Sequence, residues 1–118
     1  AKRFYKSALV NLDNNLFDVA CFLAHQAVEL LLKGIISKET GSKPFTHSLV
    51  ELYKILESLD YKFPSNLLKC LKELSKHYTQ SRYPDARIVD YDKEEAEEAI
   101  KCMEEIFNYA RDIWNIKE

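Results

Sequence analysis

Glycine and proline are scarce in this 118-residue chain, with two Gly and three Pro, too few for an architecture of many tight β-turns. Cysteine is scarce as well. Cys21, Cys70 and Cys102 are odd in number, far apart and without a C-x-x-C, which favours buried thiols in a reducing cytoplasm over a disulfide scaffold. The longest unbroken apolar run, Val19 to Ala24, falls far short of the roughly 20 residues a bilayer-spanning helix needs, so no transmembrane segment is expected. Ala1-Lys2-Arg3-Phe4-Tyr5-Lys6 carries charge without a following apolar stretch, so no secretory signal is expected either. An excess of positive charge is also missing: 17 Lys and Arg stand against 19 Asp and Glu, a net charge of −2. No global field then exists to hold duplex DNA or an anionic membrane, and any nucleic-acid site has to be a local patch.

What is present suffices for a packed core. The sequence is 47% hydrophobic and 31% charged, within the range of one globular unit over residues 1–118. No internal repeat or linker divides it. Phe4, Ala8 and Leu12 follow helical spacing, and Asn14-Asn15 breaks that period. A longer one, from Phe17 to Thr40, carries Ala20, Cys21, Ala24, Ala27, Val28, Leu31, Leu32 and Ile35 on one broad face and stops at Gly41, a natural C-terminal cap. Ser48-Leu49-Val50-Glu51 has capping-box spacing and starts a third helix reaching about Leu59. Pro64 suits the first turn of a fourth, whose Leu67, Leu68, Leu71, Leu74 and Tyr78 repeat at helical spacing to an end near Tyr78. Thr79 to Tyr91 has no period and contains Pro84, so it reads as the longest irregular segment. Asp92, with Glu95 three residues on, caps a last helix that runs to the chain end. The fold expected is all-α: an antiparallel up-and-down four-helix bundle with an additional short helix.

Four blocks in order, Asp18-Val-Ala-Cys-Phe-Leu-Ala-His-Gln-Ala-Val-Glu-Leu-Leu-Leu-Lys-Gly34, His47-Ser-Leu-Val-Glu-Leu52, Tyr78-Thr-Gln-Ser-Arg-Tyr-Pro-Asp-Ala86 and Glu94-Glu-Ala-Glu-Glu-Ala-Ile100, resemble the HEPN domain family over almost the whole chain. The resemblance implies a small prokaryotic helical bundle, often a homodimer, that binds a nucleotide or substrate beside a minimal nucleotidyltransferase. Some members are instead metal-independent ribonucleases, usually toxins of toxin-antitoxin systems, which resemble one another in an Arg followed four to six residues later by a His. None of Arg3, Arg82, Arg87 or Arg111 has a His at that distance; the nearest pair is reversed, with His77 before Arg82. A ribonuclease would have to use that non-standard pair.

The segment from His77 to Asp85 holds the strongest binding candidates. Tyr78 and Tyr83 offer stacking surfaces, Arg82 a planar fork of donors for phosphate, and His77 and Asp85 further polar groups. The structural alternative is that Arg82 pairs with Asp85 or a helix-end carboxylate while the tyrosines pack over the bundle end. On the second helix, His25, Gln26, Glu29 and Lys33 form a polar stripe, read either as a buried seam or as His25 and Lys33 lining the same cleft as Arg82. His47, beside the Ser48 cap, is either a phosphate contact or a capping accessory. Cys21/His25 and Cys70/His77 share helical faces but match no zinc module, so no metal is expected. With no phosphate loop or nucleophile elbow, no cofactor or covalent catalysis is expected. Glu94, Glu95, Glu97, Glu98, Glu104 and Glu105 read as a solvated helix face.

Overall fold

The break expected at Asn14-Asn15 is a reversal of the chain in the computed structural model, which describes residues 1–83 and 90–114. Helix α1, Lys2–Asp13, ends on Asn14, and Asn15 takes a left-handed φ of 61°, a conformation asparagine tolerates better than most residues. The long helix α2, Phe17–Thr40, then runs 24 residues, about 36 Å at the helical rise, nearly the 39 Å long axis of the molecule. Gly41 ends it at φ 77°, its N–H donating to the Ser37 carbonyl at 2.8 Å. A Cβ would strain this left-handed position, and glycine has none.

Helix α3 spans Leu49–Ser58, α4 Ser65–Ser75, α5 the single turn His77–Gln80, and α6 Lys93–Trp114. All described secondary structure is helical. The α3 cap works differently from a reciprocal capping box. Ser48 Oγ accepts from the Glu51 N–H at 3.2 Å, as expected, but the Ser48 N–H donates to Thr46 Oγ1 and the Glu51 carboxylate accepts from that same threonine hydroxyl. The fourth helical period does not run smoothly to Tyr78 either. Ser75 Oγ donates back to the Leu71 carbonyl at 2.6 Å, a bond that bends helices, and the chain restarts at His77 as α5.

Helix α2 touches α1, α3, α4, α5 and α6, so its broad apolar face is the centre of the described structure. Its fully or nearly fully buried Ala20, Ala24, Ala27, Val28, Leu31 and Leu32 meet Leu52 and Leu56 of α3, Leu71 and Leu74 of α4, and Met103, Ile106 and Phe107 of α6 in one core. By length and composition α2 could cross a membrane, a property that counting unbroken apolar runs overlooks. Two thirds of its apolar window, however, is buried against the protein itself, and the window is crossed by buried His25, Glu29 and Lys33. That is the pattern of a central core helix.

The cysteine expectation is overturned. Cys70 of α4 and Cys102 of α6 form a disulfide across a Cα–Cα distance of 5.2 Å, leaving only Cys21 as a buried thiol, so the cysteine count no longer argues for a reducing compartment. Spacing along the chain cannot reveal a bridge between helices that meet only in the fold. The bond closes a loop with a sequence separation of 32 that contains α5 and Arg82. Replacing both cysteines by serine should therefore cost about 2 to 4 kcal/mol, by freeing the unfolded chain. Urea unfolding without reductant checks it; a midpoint equal to the parent's would mean that the bridge contributes nothing.

The acidic stretch of α6 is also less uniform than a solvated face. Glu94, Glu97 and Glu98 are exposed, whereas Glu95, Glu104 and Glu105 are half-buried. Glu95 meets Lys76, and Glu104 accepts weakly from the Tyr5 hydroxyl at 3.4 Å.

Candidate anion-binding site

Residues 25, 29 and 33 recur every four positions, so α2 stacks His25, Glu29 and Lys33 on one face, and all three are buried. A buried carboxylate has to be paired. Glu29 Oε2 lies 2.9 Å from Lys33 Nζ and 2.9 Å from His47 Nδ1. Its second oxygen, Oε1, is buried without a hydrogen-bond partner; His25 Nδ1 stands 3.8 Å from it. The polar stripe thus extends through His47 to the surface, where the His47 side chain is 56% exposed.

From there the contacts are aromatic. The His47 ring stacks on Tyr78, with centroids 5.3 Å apart and planes 16° from parallel, and His25 meets Tyr78 at 5.3 Å in a tilted arrangement. Arg82 completes the group: its Cζ is 5.2 Å from the Tyr78 ring centre, 5.8 Å from that of Tyr83 and 5.9 Å from that of Phe22. Among the described residues the partners of Arg82 are these rings and not carboxylates. Asp85, the partner considered for it, lies outside the described residues. His25, His47, Ser48, Tyr78 and Thr79 border an open cleft, and Phe45, two residues before His47, is 96% exposed. The fold therefore gathers His25, Lys33, His47, Tyr78, Arg82 and Tyr83 on one side of the molecule.

His77 lies elsewhere. It precedes Tyr78 by one position and faces a different side of the turn. Its Nδ1 is 2.8 Å from the Tyr91 hydroxyl, and its ring nitrogen lies with the carboxylates of Glu73 and Glu95, all within 4.8 Å of one another. Such a set could hold a metal ion in principle, but Lys76 Nζ already stands 2.7 Å from Glu73 and 3.2 Å from Glu95. Burial alone would lower the Lys76 pKa; the hydrogen bonds to the two carboxylates more than offset it and hold the ammonium above its usual value. The ligand set weighed from the sequence does not assemble, because Cys70 is spent in the disulfide.

Burial pushes the His25 pKa down, against the hydrogen bond to Gln26 and the charge of Glu29, which raise it. His25 is therefore neutral near pH 7. In the unfolded chain it binds a proton more readily than in the folded one, so its contribution to stability is complete above pH of about 6.5 and is lost as pH falls from there toward the folded value. Urea unfolding at pH 7.5 and 5.5 should show a larger acid loss for the parent than for His25→Gln; equal losses would assign the acid sensitivity to other groups.

Residues 1–113 match the HEPN domain family. The chain belongs to that family. Among solved structures, the HEPN chain resembles TT1696 from Thermus thermophilus, with a TM-score of 0.81 and 31% identity over 94% of this chain and 90% of that one. It also resembles ST0689, an archaeal HEPN homologue, with a TM-score of 0.71 and 28% identity over 94% of this chain and 88% of that one. No curated protein matches the chain. The link from Glu29 to His47 is the part of this HEPN site that the sequence did not disclose, since nothing in helical spacing connects residues 18 positions apart.

Proposed function

We propose that this HEPN chain is a non-catalytic binding module that holds a nucleotide or single-stranded RNA, and that it serves as the substrate-binding partner of a separate minimal nucleotidyltransferase, working as a homodimer. The observation that carries the reading is the exposed Arg82 guanidinium resting on Tyr78. A guanidinium held by ring faces turns its N–H edge toward phosphate, with no carboxylate paired to it among the described residues, while Tyr83, 57% exposed, is available to stack on a base. The chain's net charge of −2 supplies no general attraction for an anion, so specific contacts must provide the affinity.

Titration of ATP, GTP and a short single-stranded RNA tests this. Arg82→Ala should weaken binding by about tenfold or more, the worth of a charge-assisted contact, and Arg82→Lys should restore it only in part because an ammonium lacks the planar fork. Unchanged affinity in Arg82→Ala would remove the site. RNA cleavage by the parent that is lost in His77→Ala would replace this reading with the ribonuclease one. Sedimentation as a monomer at high micromolar concentration would remove the homodimer. Leu23 of α2 and Tyr109 of α6 are half-buried and pack against the core of their own chain.

A further inference from the structure

We infer that Glu29 and His47 form a positioning dyad that makes the site selective for a terminal phosphate, with protonated His47 as a phosphate donor in addition to Arg82. The inference rests on the anion-binding reading and deepens it. A carboxylate oxygen can only accept, so the 2.9 Å contact between Glu29 Oε2 and His47 Nδ1 places a proton on Nδ1. Nε2, the ring's other nitrogen, belongs to a side chain that is 56% exposed. In the neutral ring Nε2 carries a lone pair and repels an anion. Once protonated it donates, and Glu29, buried and fixed by Lys33, is already in place to hold the cation's orientation.

The neighbours sharpen this assignment. The groups around His47 are His25, Glu29 and Lys33 of α2, Tyr78 of α5, and Arg82. Lys33 is committed to Glu29, and burial pushes the His25 pKa down, so His25 takes up a proton less readily than an exposed imidazole. His47 and Arg82 each lie within 5.3 Å of the Tyr78 ring centre, so both groups border that ring. A terminal phosphate offers several anionic oxygens to such donors, whereas a nucleoside has none that is charged.

Titrate adenosine monophosphate and adenosine against the full chain at pH 6.0 and 8.0. The parent should bind the monophosphate about tenfold more tightly at pH 6.0, the worth of one charge-assisted hydrogen bond, with adenosine unaffected by pH. The ligand's own second ionisation near pH 6 works in the opposite direction, so tightening on acidification has to come from the protein. His47→Gln, an exposed substitution, should abolish the pH dependence and keep the weaker binding through Arg82. Imidazole nitrogen shifts of the parent at pH 8.0 give an independent readout: neutral His47 should hold its proton on Nδ1. Monophosphate binding that is flat with pH, pH dependence that survives in His47→Gln, or an Nε2–H tautomer would each overturn the dyad while leaving Arg82 in place. No binding of monophosphate, ATP or RNA at either pH would remove the site and the dyad together.

Discussion

Phe107→Ala should destabilise the protein by about 3 to 5 kcal/mol, the cost of emptying an aromatic position in a closed core. Phe107 is 1% exposed on α6 and meets Tyr5 of α1 edge-on, with ring centroids 4.8 Å apart. Truncation would remove this pair and leave a void where α1, α2 and α6 converge, which rigid helices fill only in part. Phe107→Leu keeps most of the volume and should lose far less, while Phe45→Ala, at a side chain 96% exposed, should change stability by less than about 0.5 kcal/mol. Urea unfolding of the three variants gives the order. A loss below about 1 kcal/mol in Phe107→Ala would mean that the three-helix junction collapses around the gap.

The difference between these two phenylalanines shows what a sequence discloses. Phe107 falls in step with Ala96, Ala99, Ile100, Met103, Ile106 and Ala110, all buried on α6, and that 3.6-residue period is readable without a structure. Local chemistry was equally legible: Gly41 ends α2 in the left-handed conformation, Ser48 accepts from Glu51, and Asp92 accepts from the Glu95 N–H at 2.8 Å. Each of these depends on residues within one helical turn. Pro64 was displaced by only one position, standing just before α4 instead of in its first turn.

What stayed hidden depends on which helix faces which. Periodicity puts Cys70 on the inner face of α4 and Cys102 near that of α6, but only the α4–α6 packing brings their sulfurs together. Similarly, the stripe of His25, Glu29 and Lys33 is a property of α2, whereas its meaning depends on His47 arriving from the loop before α3. His77 and Tyr78 are adjacent in sequence and part company because consecutive helical positions point about 100° apart. One joins Tyr91 and the Lys76 cluster, the other His25, His47 and Arg82.

Glu29→Ala should cost about 3 to 5 kcal/mol, because it leaves the Lys33 ammonium buried without its carboxylate. The Lys33 side chain is 8% exposed and lies 2.9 Å from Glu29 Oε2, so water cannot readily replace what is removed. His47 contributes less to this loss, since its exposed ring can turn to solvent. If the uncompensated charge is the cause, Glu29→Leu combined with Lys33→Met should recover most of the stability, as apolar residues of similar volume often do in place of a buried ion pair. A double variant as unstable as Glu29→Ala would show instead that α2 needs the carboxylate for packing against the loop before α3. Recovery would also separate the fold from the site: the double variant would keep the bundle and Arg82 but hold nothing against His47 Nδ1. Its binding of adenosine monophosphate should then lose the orientation that Glu29 imposes, so a folded double variant with the parent's affinity and pH dependence would show that the buried pair serves stability alone.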